Sequence, residues 1–427
     1  MAKRYAPSMS VEELERPNVI LGSGFSRSIS EDMPTMAELG KQVIDRLALP
    51  ETTLMTFNNN LEQWMSFLAV DQPWLSHADN LENRAWFARA SAAVQECISD
   101  SEAKVIETTP LPDWLLRLVW TWCDQKANVF TFNYDTLLER ALMELNRLDT
   151  FGDLYPMPLE WRVNAGDGGR FGSEGTRGEV LSLYKLHGSI NWAFGGLDAP
   201  PSDRILLTGD FLRWSQPPLR EEAMSPRERS MYDDVVPLII PPTLTKGPYY
   251  TNLSLRGQWR RAGEALDAGG ELTIIGYSFP MADLVANQWV STSFVGHRMD
   301  IIDVVPKRPS AIRAQLPFPK KGRDVTGELA VQRYADRVSG DLVRWKIWDA
   351  HDGQGARVRL IVNGVDLLAD MSLAQRPWGQ GHDAAQLWLH TRIEKAQQKV
   401  IDRAIGAMDA NGEDRWVVLR PGHKLKI

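Results

Sequence analysis

Cysteine is nearly missing: Cys97 and Cys123 are the 2 in 427 residues. Two cannot build a four-cysteine zinc ribbon or a disulfide framework for a chain of this size. A reducing compartment fits that usage, so a cytoplasmic location is expected. No apolar run approaches the roughly 18 residues of a bilayer span. The longest, such as Val235–Ile240, are strand-sized, and no membrane association is expected. Met1 to Pro17 holds no apolar signal region; Glu12, Glu13, Glu15 and Arg16 crowd in after Val11, so secretion is not expected. Basic residues do not dominate: 48 Lys and Arg face 55 Asp and Glu, a net charge of −7. That argues against a chain whose task is to coat nucleic acid. There is no Gly-x-x-x-x-Gly-Lys-Ser/Thr loop, so any ATP-driven step falls to another chain. Internal repeats and low-complexity segments are also missing.

What is present is ordinary globular material, 43% hydrophobic and 24% charged. At about 150 residues per domain the length points to two or three domains. The 16 tryptophans imply bulky packing or interfaces.

Asn18-Val-Ile-Leu-Gly22 reads as a buried strand running into a glycine turn, Ser23-Gly24-Phe25-Ser26, with a loop through Met33-Pro34. Thr35 and Glu38 have capping-box spacing ahead of a helix whose apolar face is Met36, Leu39, Val43 and Leu47. From about 52 to 125 the pattern is helical, which we read as an insertion. Ala127–Phe132 is a second buried strand closed by Asn133-Tyr134-Asp135, with Thr136 and Glu139 spaced to cap the next helix. Residues 148–180 show no clear period and read as a long excursion, a small flap. Leu183–His187 is strand-like and ends at Gly188-Ser189; 195–235 is irregular. Val236–Ile240, Glu271–Ile275 and Met299–Val305 read as strands, with helices over Leu253–Leu266 and Ala282–Phe294. Strands alternating with helices predict an α/β fold with a Rossmann-like parallel sheet. In such sheets ligands bind beyond the strand C-termini, which places Gly22–Ser26, Asn133–Asp135, Gly276–Ser278 and Asp303 on one rim. After about 340 the pattern changes to an additional C-terminal α+β segment. Asn363-Gly364 suits a type I′ turn between Arg357–Val362 and Val365–Met371. A long amphipathic helix is expected over Ala384–Met408, and a strand over Arg415–Leu419.

Four segments carry chemistry. Gly22-Ser-Gly-Phe-Ser26 is either a phosphate-approaching loop or an ordinary tight turn. Arg27 stands where a dinucleotide-binding dehydrogenase wants a third glycine, so hydride transfer is disfavoured. Asn133 and Asp135 can hold a water, a ribose or a carboxamide, or Asp135 can cap a helix. His187, beside Gly188, is either a general base or a satisfied structural histidine. Gly276-Tyr277-Ser278 can meet phosphate or ribose, or simply connect strand to helix.

Taken in order, these segments resemble the SIR2-like, sirtuin-related family. The carriers are Gly22-Ser-Gly-Phe-Ser26 with Met33-Pro34, Thr131-Phe-Asn-Tyr-Asp135, Lys185-Leu-His-Gly-Ser189, Gly276-Tyr-Ser278 and Asp303-Val-Val-Pro306. The resemblance covers residues 19–306. It implies a SIR2-like NAD-binding domain over 1–335 and a C-terminal oligomerisation or partner-docking domain over 336–427. It assigns Gly22, Ser23, Gly24, Phe25 and Ser26 to the phosphate loop. Gly276, Tyr277 and Ser278 fall in the second nucleotide loop. Asp303 sits near the adenosine ribose, where the family more often has Asn. Asn133 and Asp135 flank the nicotinamide riboside, and His187 is the catalytic histidine.

Two departures narrow the expectation. The two Cys-x-x-Cys pairs of protein-deacylating sirtuins are missing, and Thr35-Met36 replace the aromatic-basic pair after the Gly-Ile-Pro segment. The wording is closer to the bacterial anti-phage defence branch, which hydrolyses NAD. The resemblance thus implies an NAD hydrolase that releases nicotinamide and ADP-ribose and depletes NAD, with NAD as substrate and no metal. Alternatives are an NAD- or ADP-ribose-binding sensor subunit, or a zinc-free deacylase or ADP-ribosyltransferase. Family members imply a homo-oligomer, and partners such as a HerA-type ATPase, a nuclease-like or Argonaute protein.

Overall fold

A computed structural model gives the architecture. It describes residues 16–108, 110–145, 147–148, 153–165, 168–174, 180–195, 205–207, 235–243, 246–280, 283–296, 298–317, 321–349, 356–368, 382–397, 415–419, 421 and 425. By their packing the residues fall into two compact units, Met1–Pro110 with Trp122–Val331, and Leu111–Thr121 with Gln332–Ile427. The dividing point lies at Val331, and the segment Leu111–Thr121 groups with the C-terminal residues.

The first unit opens with β1 (Asn18–Leu21), α1 (Ser23–Ile29) and α2 (Met36–Arg46). The anticipated capping box starts α2: the Glu38 N–H donates to Thr35 Oγ1, and the Thr35 N–H donates to Glu38 at 2.8 Å. The stretch anticipated as helical follows, as a 3₁₀ turn (Glu51–Phe57), α3 (Leu61–Ala69), α4 (His77–Thr108) and α5 (Asp113–Asp124), most of α5 belonging to the second unit. Next come β2 (Asn128–Thr131), α6 (Leu137–Glu144), β3 (Leu159–Ala165), β4 (Gly168–Glu174), β5 (Ser182–Lys185), β6 (Gly188–Phe194), β7 (Leu206–Leu207) and β8 (Val236–Ile239). The unit closes with α7 (Leu253–Asp267), β9 (Leu272–Ile275), α8 (Leu284–Ser293), β10 (Met299–Asp303), α9 (Arg308–Gln315) and β11 (Asp324–Thr326).

Six strands form one sheet in the order β11-β10-β9-β1-β2-β5, parallel throughout. Renumbered within the sheet, this is the 3-2-1-4-5-6 order of dinucleotide-binding folds. The strands are fully buried runs such as Val19-Ile20-Leu21 and Val129-Phe130, as a sheet covered on both faces requires. On one side Ile20, Phe130, Ile274 and Ile301 pack against Leu266 of α7 and Trp289 and Val290 of α8. A separate core joins Leu39 and Val43 of α2, Leu61, Trp64, Met65 and Leu68 of α3, and Ala90 and Val94 of α4 to Tyr134, Ile190 and Ile239. Helices α3 and α4 of the insertion therefore pack where the β2 and β6 ends meet, next to the predicted rim.

Three readings are corrected. Ser23–Ser26 are not a turn but the start of α1. The part of 148–180 that is described holds no flap: β3 and β4 pair antiparallel and enter a second sheet, β4-β3-β7-β6-β8. Val236–Ile239 belongs to that sheet, not to the parallel one.

The second unit holds α10 (Ala330–Val338), β12 (Leu342–Asp349), β13 (Ala356–Val362), β14 (Val365–Asp366), α11 (His382–Gln397) and β15 (Arg415–Val418). Its sheet runs β14-β13-β12-β15, antiparallel. The anticipated hairpin turn is present, with positive φ at Asn363 and Gly364. Its second strand is shorter than anticipated, and residues 369–381 lie outside the described set, as does the remainder of the anticipated helix beyond Gln397. Arg117 pairs with Asp336 and Arg344 with Asp113.

Candidate active site

The sheet order reverses between β1 and β9, and the first elements of the site sit at that reversal. Gly276 ends β9 with φ +62°, and a Cβ there would lie 2.4 Å from Phe25 N. A Cβ on Gly22 would lie 2.6 Å from Gly276 O. Glycine at these two places lets the β1 and β9 ends touch. The glycine N–H groups themselves are used: Gly22 donates to Ile275 O and Gly24 to Gly276 O, both at 3.0 Å. Close approach of two loops, rather than presentation of these two N–H groups, is what the glycines provide.

Asn133 and Asp135 follow β2 and are joined through Ser26 of α1. Asn133 Nδ2 donates to Gly22 O at 2.8 Å and to Ser26 Oγ at 2.9 Å. Ser26 Oγ in turn donates to Asp135 Oδ2 at 2.6 Å. The amide nitrogen of Asn133 is thus committed, which leaves its carbonyl oxygen as the acceptor for a ligand. Burial first, then the charge of Glu102, pushes the Asp135 carboxyl up to about 6, against the Lys185 charge and the Ser26 hydrogen bond.

Beneath this loop lies a buried ionic layer. Lys185 Nζ pairs with Glu139 at 2.9 Å and donates to the Asp135 carbonyl at 2.5 Å. Glu139 also accepts from Tyr155. The anticipated Thr136–Glu139 cap does not form; Thr136 donates instead to Glu102, which also pairs with Arg140 at 2.9 Å. Glu139 is drawn inward by Lys185 because a buried cation needs a carboxylate more than a helix end needs a cap.

His187 occupies the two-residue turn between β5 and β6, where one sheet passes into the other. Gly188 there has φ +82°, and a Cβ would lie 2.1 Å from Leu238 O. Ile240 N–H donates to His187 O at 2.8 Å, and Trp259 Nε1 donates to Leu186 O at 3.1 Å. The imidazole stands edge-on to Phe132, which stacks on Tyr277. Its Nε2 lies 3.3 Å from both Lys246 Nζ and Asp283 Oδ2. Lys246 pairs with Asp283 at 2.7 Å, and Tyr277 OH donates to Asp283 at 2.6 Å. Burial first, then the Lys246 charge, pushes the His187 pKa down, with Asp283 opposing, which favours the neutral ring. Burial would raise the Asp283 pKa, but His187 and Lys246 hold it well below the usual carboxylate range.

These groups line one cleft of about 890 Å³, its open mouth included. Gly22, Ser23, Ser26, Asn133, Asp135, His187, Gly276, Tyr277 and Ser278 all reach it. Three anticipated residues do not. Gly24 lies behind, against Gly276. Phe25 is buried and packs on Trp122 at 6.1 Å between ring centroids. Asp303 is buried at the end of β10, accepts the Val305 N–H at 2.8 Å and pairs with Arg308; burial raises its pKa. The cleft is also lined by residues that the motifs did not indicate, Lys246, Asp283 and Glu62, and Met36, Leu39 and Ile98 join Met33 of the motif set as its apolar wall. Among the described residues no cluster of three or more metal-binding side chains occurs, and no helix is long and apolar enough to cross a membrane. No family model and no curated protein matches the chain.

Proposed function

We propose that the chain hydrolyses NAD to nicotinamide and ADP-ribose. The observation that supports this most is the convergence, at the switch point of a dinucleotide-type sheet, of Asn133, Asp135 and His187 on one cleft. Ligands of open α/β sheets bind at that point.

Cleavage breaks the bond between ribose C1′ and the nicotinamide nitrogen, and positive charge moves onto the ribose. The ring nitrogen already carries a positive charge, so nicotinamide leaves without protonation. In this reading the Asn133 carbonyl oxygen orients the ribose or the attacking water, and His187 accepts a hydrogen bond from a ribose hydroxyl or from that water. Asp135 binds the carboxamide side. Ser23 and Ser278 face the diphosphate side. Met33, Met36, Leu39 and Ile98 exclude bulk water from the reacting carbon. The biological role that goes with this chemistry is a cytoplasmic anti-phage effector that depletes NAD, working as a homo-oligomer or with a HerA-type ATPase or another defence protein.

The test is product analysis by chromatography with no peptide acceptor present. Equal release of nicotinamide and ADP-ribose supports hydrolysis. Nicotinamide release only when an acylated peptide is added favours a deacylase, and binding without release favours a sensor.

A further inference from the structure

Glu62 is on α3, in the helical insertion, and only 8% of it is exposed. It lines the same cleft as His187. The other acids of the cleft are already engaged. Asp283 takes Lys246, Tyr277 and His187. Asp135 takes Ser26 at one oxygen and the Leu137 N–H at the other. Lys246, the nearby cation, is turned to Asp283. Among the described residues, the Glu62 carboxyl receives no hydrogen bond. A buried carboxyl without protein donors is costly unless a ligand or water supplies them.

Hydrolysis of NAD creates a demand that this group can meet. Water oxygen bonds to ribose C1′ as the C1′–N bond breaks, and that bond's electron pair stays on the nicotinamide nitrogen, which becomes neutral. The water must then lose a proton. We propose that Glu62 is the catalytic base that accepts this proton and later releases it to solvent, leaving His187 to the ribose hydroxyl. The inference rests on the hydrolase reading above.

The surroundings suit the task. Burial raises the Glu62 pKa, Lys246 opposes this and Asp283 adds to it. A base works best when its pKa approaches the working pH. The charges of Lys246 and Asp283 act on Glu62, and the Glu62 charge in turn acts on the Tyr134 and Tyr277 hydroxyls. Asp283 remains ionised throughout the relevant range, because its pKa is held low. No motif pointed to Glu62, since it belongs to the insertion rather than to a strand end.

The experiment measures NAD cleavage by the purified full-length protein, Glu62→Gln and Glu62→Ala across pH 4.5–9, with azide as a probe nucleophile. Wild-type kcat is expected to fall as pH drops through the Glu62 pKa, because a protonated carboxyl cannot accept. In Glu62→Gln, kcat falls about 100-fold or more, KM changes only a few-fold and the acid limb loses its Glu62 step, keeping only the one that Asp135 sets near pH 6. Azide carries its own lone pair and no proton to lose, so it restores nicotinamide release in Glu62→Ala and yields ADP-ribosyl azide. A purely structural role predicts no rescue. If wild type cleaves NAD and Glu62→Gln keeps its kcat and the whole acid limb, or azide rescues nothing, the inference is wrong and the hydrolase reading stands. If wild type does not cleave NAD, both are wrong.

Discussion

Lys246 Nζ stands 3.3 Å from His187 Nε2, although the two residues are 59 positions apart. The ammonium is bound to Asp283 and opposes protonation of the imidazole, while Asp283 takes the Tyr277 hydroxyl as well. Replacing Lys246 by Met leaves Asp283 buried without its main counter-ion. That change is expected to destabilise the fold by about 3–5 kcal/mol in denaturant unfolding. It also makes His187 more basic, which a histidine-resolved NMR titration reads directly. An unchanged His187 titration would separate the two residues electrostatically.

Asp135 gives a pH-dependent prediction. Its folded-state pKa of about 6 is above the ordinary 3.8. A carboxyl raised in the folded state contributes stability that is fully present below the unfolded pKa and lost as pH rises through the folded one. Wild type should therefore lose stability relative to Asp135→Asn between about pH 4 and pH 6, by at most about 3 kcal/mol. Urea midpoints for the pair at pH 4.5 and pH 7.5 check the sign. A wild type that gains on the variant with rising pH contradicts the burial argument.

Gly276→Ala tests the touching loops. The residue has φ +62°, and its new Cβ would meet the Phe25 and Gly24 backbone at about 2.5 Å. Neither neighbour is a flexible side-chain tip, so strain of about 2–4 kcal/mol is expected. Gly247→Ala is the control, because a Cβ there meets nothing within 4 Å.

Lys185 supports the Asn133–Asp135 loop from below. Lys185→Met strands Glu139 in the core and removes the donor to the Asp135 carbonyl. A loss of about 3–5 kcal/mol is expected, with much of it recovered in Lys185→Met/Glu139→Gln. If the double variant is no better than the single one, the ion pair is not what holds the layer together.

The parallel sheet was readable because its strands are short continuous apolar runs ended by glycine or polar residues, as at Leu21-Gly22 and Ile275-Gly276. The α2 cap and the Asn363-Gly364 turn were readable because both are local chemistry. The second sheet was not. Its strand β3 does alternate, Leu159, Trp161 and Val163 with Glu160, Arg162 and Asn164, but as one short run whose partner β4, with Gly168, Gly169 and Gly172, shows no such pattern. The three-residue β11 was too short to register. The motifs supplied Asn133, Asp135 and His187, since each follows a strand. They could not supply Lys246, Asp283 or Glu62. These stand in an irregular segment, ahead of a helix and inside an insertion, and only the folded chain brings them to the cleft. The one sequence sign was weak: two charged residues, Lys246 and Asp283, next to apolar segments.

The most direct measurement is the rate of NAD loss with the purified full-length protein beside Asn133→Ala and His187→Ala. The account predicts turnover by wild type with nicotinamide as product, and a fall of about 100-fold or more in each variant while their unfolding midpoints show that they remain folded. Wild-type rates in folded Asn133→Ala and His187→Ala, or no NAD loss in wild type, would contradict it.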